Sequence, residues 1–442
     1  MESLSEDALP IVGTAYTGHT FPAAIRPFGM VSPGPDTGLK DWKHCSGYHY
    51  DDDTILGFSQ THMSGTGCPD MCDLMLIPIT GEPGDKTGSR FSHDNEQAKP
   101  GWYSVTLEDY DILCEVTTTD RCPFYKFTYP AGKPAGVIFD MTHGNDEKTL
   151  DCDVRAVGKN AVQGFRHSKG FINDHVQYFY AEFSEPIKEA RPLAQEGDTF
   201  SKLYVCLPEG KTVLVKLGVS TVSEEAARNN LRDGIPGWNF DKVRREATLA
   251  WDNALSLIKA AFNTPEERQT FYTALYHSLI VPNLITDADG SYRGWDKAVH
   301  NSQGRDLYTN YSLWDTYRAL HPLLDIIAPE RNVDFINSML ERYKQIGSVP
   351  INEYGTCETY CMIGYHALPV ISEAILLDLE GFDKELAFEA MKAITEDRDR
   401  GVGYYIDYGY IPCDLEKESV SQTLEYAFDD WCLAQAALKL GK

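Results

Sequence analysis

The densest gathering of chemically capable side chains runs from Cys45 to Asp73: Cys-Ser-Gly-Tyr-His-Tyr-Asp-Asp-Asp-Thr-Ile-Leu-Gly-Phe-Ser-Gln-Thr-His-Met-Ser-Gly-Thr-Gly-Cys-Pro-Asp-Met-Cys-Asp. Aromatic, imidazole, carboxylate and thiol groups surround a Ser64-Gly65-Thr66-Gly67 turn. Glycine lets backbone approach a ligand closely, and the polar and aromatic groups suit a hydroxyl-rich partner such as a sugar. A second stretch of this character, from Tyr311 to Pro322, reads as helical and holds Trp314, Asp315 and Arg318. Arg318 follows Asp315 by three residues, so the two can share a helical face and keep Asp315 ionised. An ionised Asp315 would accept hydrogen bonds from sugar hydroxyls, and Trp314 would pack on the sugar's apolar face. The plainer alternative is a surface ion pair beside a core tryptophan.

Other candidates are weaker as chemistry. Glu353 and Glu358 lie in a polar loop between helices, where acids are as readily solvated as functional. Hydrolysis of a glycosidic bond with inversion needs two carboxyl groups about 6.5–9.5 Å apart, and abundance of Asp and Glu does not supply that pair. His19, His49 and His62 can bond hydroxyls, and Gly18 and Gly67 permit close backbone approach. His44, Cys45, His49, His62, Cys68 and Cys72 form a dense set of potential zinc ligands, but no Cys-x-x-Cys pair of the zinc-ribbon kind occurs. Asp51-Asp52-Asp53 lacks the glycine and the final Glu of a calcium loop, and Asp287-Ala288-Asp289-Gly290 reads as a turn. A Cys68–His62 hydrolase has no supporting signature.

Ordered motifs carry a resemblance. Gly18-His19-Thr20-Phe21-Pro22, Pro27-Phe28-Gly29-Met30-Val31, Gly47-Tyr48-His49-Tyr50 and Gly57-Phe58-Ser59-Gln60-Thr61-His62 are followed by Ser64-Gly65-Thr66-Gly67-Cys68. Ser312-Leu313-Trp314-Asp315-Thr316, Met362-Ile363-Gly364-Tyr365-His366 and Ser419-Val420-Ser421-Gln422-Thr423-Leu424-Glu425-Tyr426 complete the set. The series resembles glycoside hydrolase family 92, the calcium-dependent exo-α-mannosidases, from about residue 11 to the last. The resemblance implies a β-sandwich packed on an (α/α) barrel, mannose-containing glycans as partners, and calcium on the sugar's hydroxyls. It places Gly18, His19, Gly67, Cys68, Trp314, Asp315, Arg318 and Glu358 at a terminal-mannose subsite. It also implies that the general acid and base, and most calcium ligands, lie beyond Lys442, because the family's Glu-Gly-Asn and Asn-Asp/Glu-Asp segments do not occur here. A non-catalytic glycan-binding fragment is the alternative.

Composition agrees with a neutral ligand. The 442 residues carry 66 acidic against 40 basic side chains, a net charge of −26 that repels nucleic acid and anionic membranes. No apolar run reaches the roughly 18 residues of a membrane span. The N-terminus lacks a basic region and an apolar core, so no signal peptide is expected within the chain. The resemblance implies a secreted or periplasmic protein, with a cytoplasmic one still open. Eleven cysteines, an odd number spread from Cys45 to Cys432, suggest buried thiols rather than a disulfide scaffold.

The positioning elements divide in two. Short β-rich runs such as 102–107 and 212–219, broken by Gly, Pro and Asp clusters, predict a β-sandwich over residues 1–222. A helical linker is expected over 223–262 and the first part of an α/α toroid over 263–442. About seven helices are expected from residue 240 onward, with no strands between them, where a closed toroid needs about twelve. Thr264-Pro265-Glu266-Glu267 reads as a helix start: a capping hydroxyl, Pro at the first position, then acids at the positive end of the dipole. In the last helix Val420, Leu424, Ala427, Trp431, Ala434 and Leu438 make one apolar stripe, expected to pack on later helices of a complete toroid.

Overall fold

A computed structural model describes residues 3–84, 87–196 and 199–442. Its contacts separate two compact units, Met1–Tyr292 and Arg293–Lys442. The first unit is built on two antiparallel sheets. Six strands run in the order Gly34–Asp36, Gly57–Ser59, Met75–Thr80, Ala135–Asp140, Thr199–Leu207, Glu189–Glu196. Eight run in the order Lys148–Val157, Ala161–Lys169, His175–Phe183, Thr212–Ser220, Pro123–Thr128, Ile112–Thr118, Trp102–Leu107, Glu96–Lys99. Side chains from both sheets fill one core: Phe139 of the first stacks on Phe179 of the second with ring centres 5.7 Å apart. That is the sandwich the alternating runs predict.

Strand gives way to helix between Ser220 and Glu224. The helices Glu224–Gly234 and Phe240–Leu255 belong to the first unit, and Leu231, Phe240 and Val243 pack on Trp102, Phe124 and Tyr180 of the eight-stranded sheet. The next helix, Pro265–Ser278, starts as its sequence predicts, with Thr264 Oγ1 accepting from the Glu267 amide at 3.2 Å.

Behind the 64–68 turn lies a fully buried ionic cluster. Arg166 Nη1 donates to Asp73 and to Glu147 Oε2, the latter at 2.6 Å. The other oxygen of Asp73 meets His175 Nε2 at 2.9 Å and the Thr61 hydroxyl at 3.1 Å. Glu147 Oε1 accepts from the Met71 amide at 3.0 Å. Both ends of the turn-bearing segment are thereby fixed from inside the sandwich. None of the eleven cysteines forms a disulfide, and eight of them are buried.

The second unit is mainly helical, with Leu313–Thr316, Leu320–Ile327, Pro329–Ile346, Ala367–Leu376, Lys384–Glu396, Val402–Tyr408 and Ser419–Leu440. Two expectations need correction. Nine helices, rather than about seven, start at or after residue 240 among the described residues. Short strands also interrupt them: Tyr311–Ser312, Asn352–Tyr354 and Cys357–Glu358 form a three-stranded sheet. Pairings two or three residues long leave no periodicity to read. No described helix is long and apolar enough to cross a membrane.

The helix Ser419–Leu440 buries Gln422, Tyr426, Asp429, Cys432 and Ala436 and packs against Ala367–Leu376. The opposite stripe is bare: Val420, Leu424, Trp431 and Leu438 are 71 %, 67 %, 57 % and 73 % exposed. Burying a large apolar side chain fully is worth about 1.5–3 kcal/mol, so a contiguous bare stripe favours association. The chain should bind a hydrophobic dye, and L424S/W431S together should lower that signal by more than half. Low dye binding by a monomeric, cooperatively melting protein would contradict this.

Candidate functional site

Three motif stretches far apart in sequence converge in the second unit. Strand Tyr311–Ser312 pairs with Asn352–Tyr354 and leads into the short helix carrying Trp314 and Asp315. Ser312 Oγ donates to Asp315 Oδ2 at 2.5 Å, which aims an exposed carboxylate. The Arg318 guanidinium lies 4.8 Å from the Trp314 ring centre and 4.6 Å from that of Tyr317. It does not pair with Asp315, as their spacing suggested. Instead Nη1 folds back to donate to the Trp314 carbonyl, and Nη2 donates to Glu425 Oε1 at 3.2 Å.

Glu425 also brings Oε2 to 3.2 Å from His366 Nε2. His366 stacks on Tyr317 at 4.2 Å and donates through Nδ1 to Asp429 Oδ1 at 2.8 Å. The Tyr365 amide holds the other Asp429 oxygen at 2.8 Å. Burial pushes the Asp429 carboxyl up from its ordinary range, against the hydrogen bond from His366. A chain of polar contacts thus runs from Asp429 through His366 and Glu425 to Arg318, and it fixes the guanidinium between two aromatic faces. Trp314 Nε1 and Thr316 Oγ1 are buried without a hydrogen-bond partner, which leaves polar atoms for a ligand to satisfy. His366 and Glu425 belong to motifs visible in sequence, but nothing there assigns them to this turn. Convergence in space is the missing signal.

Glu358 has a different place. Its oxygens accept from the amides of Ile351, Asn352 and Tyr360 at 2.9, 2.9 and 3.0 Å, and Arg342 Nη2 lies 3.1 Å away. It ties the strand that pairs with Tyr311–Ser312, and so positions Asp315 rather than standing as a solvated loop acid. Glu353 is fully buried against Arg342 and accepts from Thr309 Oγ1 at 2.8 Å, with its carboxyl pushed up by burial.

In the first unit Gly18, His19, Gly67 and Cys68 share one loop cluster with Trp42. The Gly65 amide donates to the His19 carbonyl at 2.7 Å. The His19 ring meets Trp42 edge-on at 4.7 Å, and its Nε2 is buried without a partner. A Cβ on Gly67 would lie 2.3 Å from the Trp42 ring, and one on Gly18 would lie 2.1 Å from the Gly13 carbonyl oxygen, so both positions exclude larger residues. Cys68 Sγ accepts from Thr66 Oγ1 at 3.2 Å. Trp42, 61 % exposed, is the aromatic platform that sequence reasoning missed.

The six-residue zinc set does not converge. His44 meets Asp41 and Asp52, Cys45 donates to the Trp42 carbonyl, and His49 meets the Tyr16 carbonyl. Calcium takes six to eight oxygen ligands. Among the described residues the group of three or more close metal-ligating side chains is Asp36, His62 and Cys72, whose sulfur and nitrogen donors do not fit that ion.

Residues 9–220 match the glycosyl hydrolase family 92 N-terminal domain, and residues 226–442 match the glycosyl hydrolase family 92 catalytic domain. A family GH92 α-mannosidase from Bacteroides thetaiotaomicron, solved in complex with mannoimidazole, superposes with a TM-score of 0.94 at 37 % identity, over 100 % of this chain and 62 % of that one. A family GH92 inverting mannosidase from the same organism superposes at 0.89 with 27 % identity, over 100 % and 63 %. An uncharacterized secreted glycosidase of Arthroderma benhamiae is 26 % identical over 98 % of this chain and 59 % of its own length. The chain spans about three-fifths of the length of these relatives. With residues 9–220 and 226–442 matched to the two family domains, the chain belongs to glycosyl hydrolase family 92.

Proposed function

We propose that this glycosidase acts on terminal α-linked mannose and that the Trp314–Arg318 turn holds the sugar. The observation that carries the reading is the convergence of Ser312–Arg318, Tyr365–His366 and Glu425 on one aromatic and charged surface. Asp315 accepts from sugar hydroxyls, Trp314 supplies an apolar face, and Arg318 is kept from swinging away by Glu425. The loop of His19, Trp42, Gly67 and Cys68 offers a second hydroxyl-binding surface on the sandwich.

The reaction in this proposal is a single displacement with inversion, as the name of the inverting relative supports. One carboxyl group protonates the leaving oxygen and another activates water about 6.5–9.5 Å away. We take these two groups, closure of the helical unit into a toroid, and an oxygen cage for calcium from the part of the relatives' length that this chain does not span. The secreted fungal relative supports a location outside the cytoplasm.

The test is release of mannose from α-mannobioses with calcium present. A protein extended to the relatives' length should turn over, while the 442-residue chain should bind without turnover. Losing either general acid or base typically removes ~10²–10⁴-fold in rate. Robust turnover by the 442-residue chain would contradict the assignment of the proton-transfer groups and promote its own carboxylates.

A further inference from the structure

Beneath the 64–68 turn, three side chains from separate parts of the sandwich point at one buried position. Asp36 Oδ1, His62 Nε2 and Cys72 Sγ lie within 4.8 Å of one another, and all three residues are buried, with the Asp36 and His62 side chains 0 % exposed. His62 and Asp36 are held from behind. His62 Nδ1 is 2.6 Å from the Ser32 carbonyl oxygen, so that nitrogen carries the hydrogen. In the neutral ring the lone pair is then on Nε2, which lies 2.9 Å from Asp36 Oδ1 and 3.0 Å from the Ser59 hydroxyl. The second Asp36 oxygen is met by His143 Nε2 at 2.8 Å.

A lone pair facing a carboxylate at that distance in a dry interior is repulsive unless a positive charge stands with them. The backbone also commits itself here. Met71, Cys72 and Leu74 adopt left-handed φ values of 72°, 60° and 59° without being glycine, a conformation that surrounding interactions must hold. A Cβ on Gly47 would lie 2.4 Å from Asp36 Oδ1 and 2.6 Å from Cys72 Sγ, so only glycine closes this wall.

We infer that Asp36, His62 and Cys72 supply three of the four ligands of one zinc ion bound in the sandwich. The donor set is that of zinc: one thiolate at about 2.3 Å, one imidazole nitrogen at about 2.0–2.1 Å and one carboxylate oxygen at about 2.0–2.2 Å. Cys72 loses its thiol proton on binding, so the thiolate and the carboxylate together balance the divalent charge, with the imidazole neutral. The Ser32 carbonyl behind His62 and His143 behind Asp36 are the outer partners that fix ligand orientation at such centres. The thiolate sets this ion apart from calcium, which prefers oxygen alone. Its place in the fold explains what it would do there. His62 and Cys72 bracket the turn that carries Gly67 and Cys68, so the ion clips that turn to the sheet edge at Asp36.

The experiment uses the full 442-residue protein. Purified without chelator, it should hold close to one zinc per chain by elemental analysis. After removal of zinc, added cobalt(II) should give a thiolate-to-cobalt charge-transfer band. His62→Gln and Cys72→Ser should abolish the band. Cys206→Ser, on a strand separated from that of Asp36 by three others in the same sheet, should leave it intact. His143→Gln should weaken zinc binding about 10–100-fold. Because the first readings need only the unmutated protein, a variant that fails to fold does not blunt the test. Protein free of zinc that takes up neither metal would overturn the inference and leave an imidazolium–carboxylate pair as the account of these contacts. A cobalt band that survives Cys72→Ser would overturn it equally.

Discussion

Arg166→Met should destabilise the sandwich by about 3–5 kcal/mol, the usual cost of removing one partner from a buried charge pair. Arg166 is fully buried, and its guanidinium is the positive centre between Asp73 and Glu147. Methionine fills much of the space but leaves two carboxylates with one imidazole, His175. Native domains are stable by only about 5–15 kcal/mol, so the melting midpoint should fall by roughly 10 °C. The same cluster sets a pH dependence. Burial, and then repulsion from Asp73, push the Glu147 carboxyl up to about 7 from 4.5. The folded protein therefore keeps a proton that the unfolded chain has lost, and this group's contribution falls as pH rises from about 4.5 to 7. His175 is raised by Asp73 despite the opposing effect of burial, so its contribution is complete below 6.5 and is lost as pH rises through its folded value. Glu147→Gln should flatten the decline in melting temperature between mildly acidic and mildly alkaline pH. An Arg166→Met midpoint within about 2 °C of the parent, a shift worth only about 1 kcal/mol, would show that the cluster contributes little.

Asp315→Asn should weaken sugar binding, and in a protein of the relatives' length it should lower kcat/KM, by about 10–100-fold. The change keeps the shape and the bond from Ser312 but removes charge-assisted hydrogen bonds worth about 1.5–3 kcal/mol each, where 1.4 kcal/mol is tenfold. The carboxylate is exposed and bonds only the Ser312 side chain among the contacts described, so the melting midpoint should move by less than about 2 °C. Glu425→Gln should act through Arg318 and raise KM more than it lowers kcat. Unchanged kinetics in Asp315→Asn would return the residue to a surface role.

The sandwich was legible because its strands alternate and its turns are marked by Gly, Pro and Asp. So was the helix start at Thr264, where capping, proline and acidic residues agree. The 311–312, 352–354 and 357–358 pairings were hidden, being too short for any period. The site was half legible. Trp314, Asp315 and Arg318 lie close together in sequence, so their chemistry can be read, but which acid Arg318 meets depends on a helix that begins about a hundred residues later. Asp36 was overlooked for the same reason: one aspartate in a Gly-Pro-Asp turn says nothing until His62, Cys72 and His143 are brought to it. Glu358 shows the reverse case, since a loop acid by sequence becomes a buried tie once three backbone amides close around it.

The central claim is that the Trp314–Arg318 turn recognises mannose, and a paired ligand titration tests it most directly. The 442-residue chain is titrated with methyl α-mannoside and, separately, with methyl α-glucoside, following the ligand's proton resonances and the protein's tryptophan fluorescence. Saturable broadening and a fluorescence change are expected with the mannoside, a weaker response with the glucoside, and loss of both signals in Trp314→Ala while the fold persists. Equal response to the two sugars, or mannoside binding that survives Trp314→Ala unchanged, would contradict the claim.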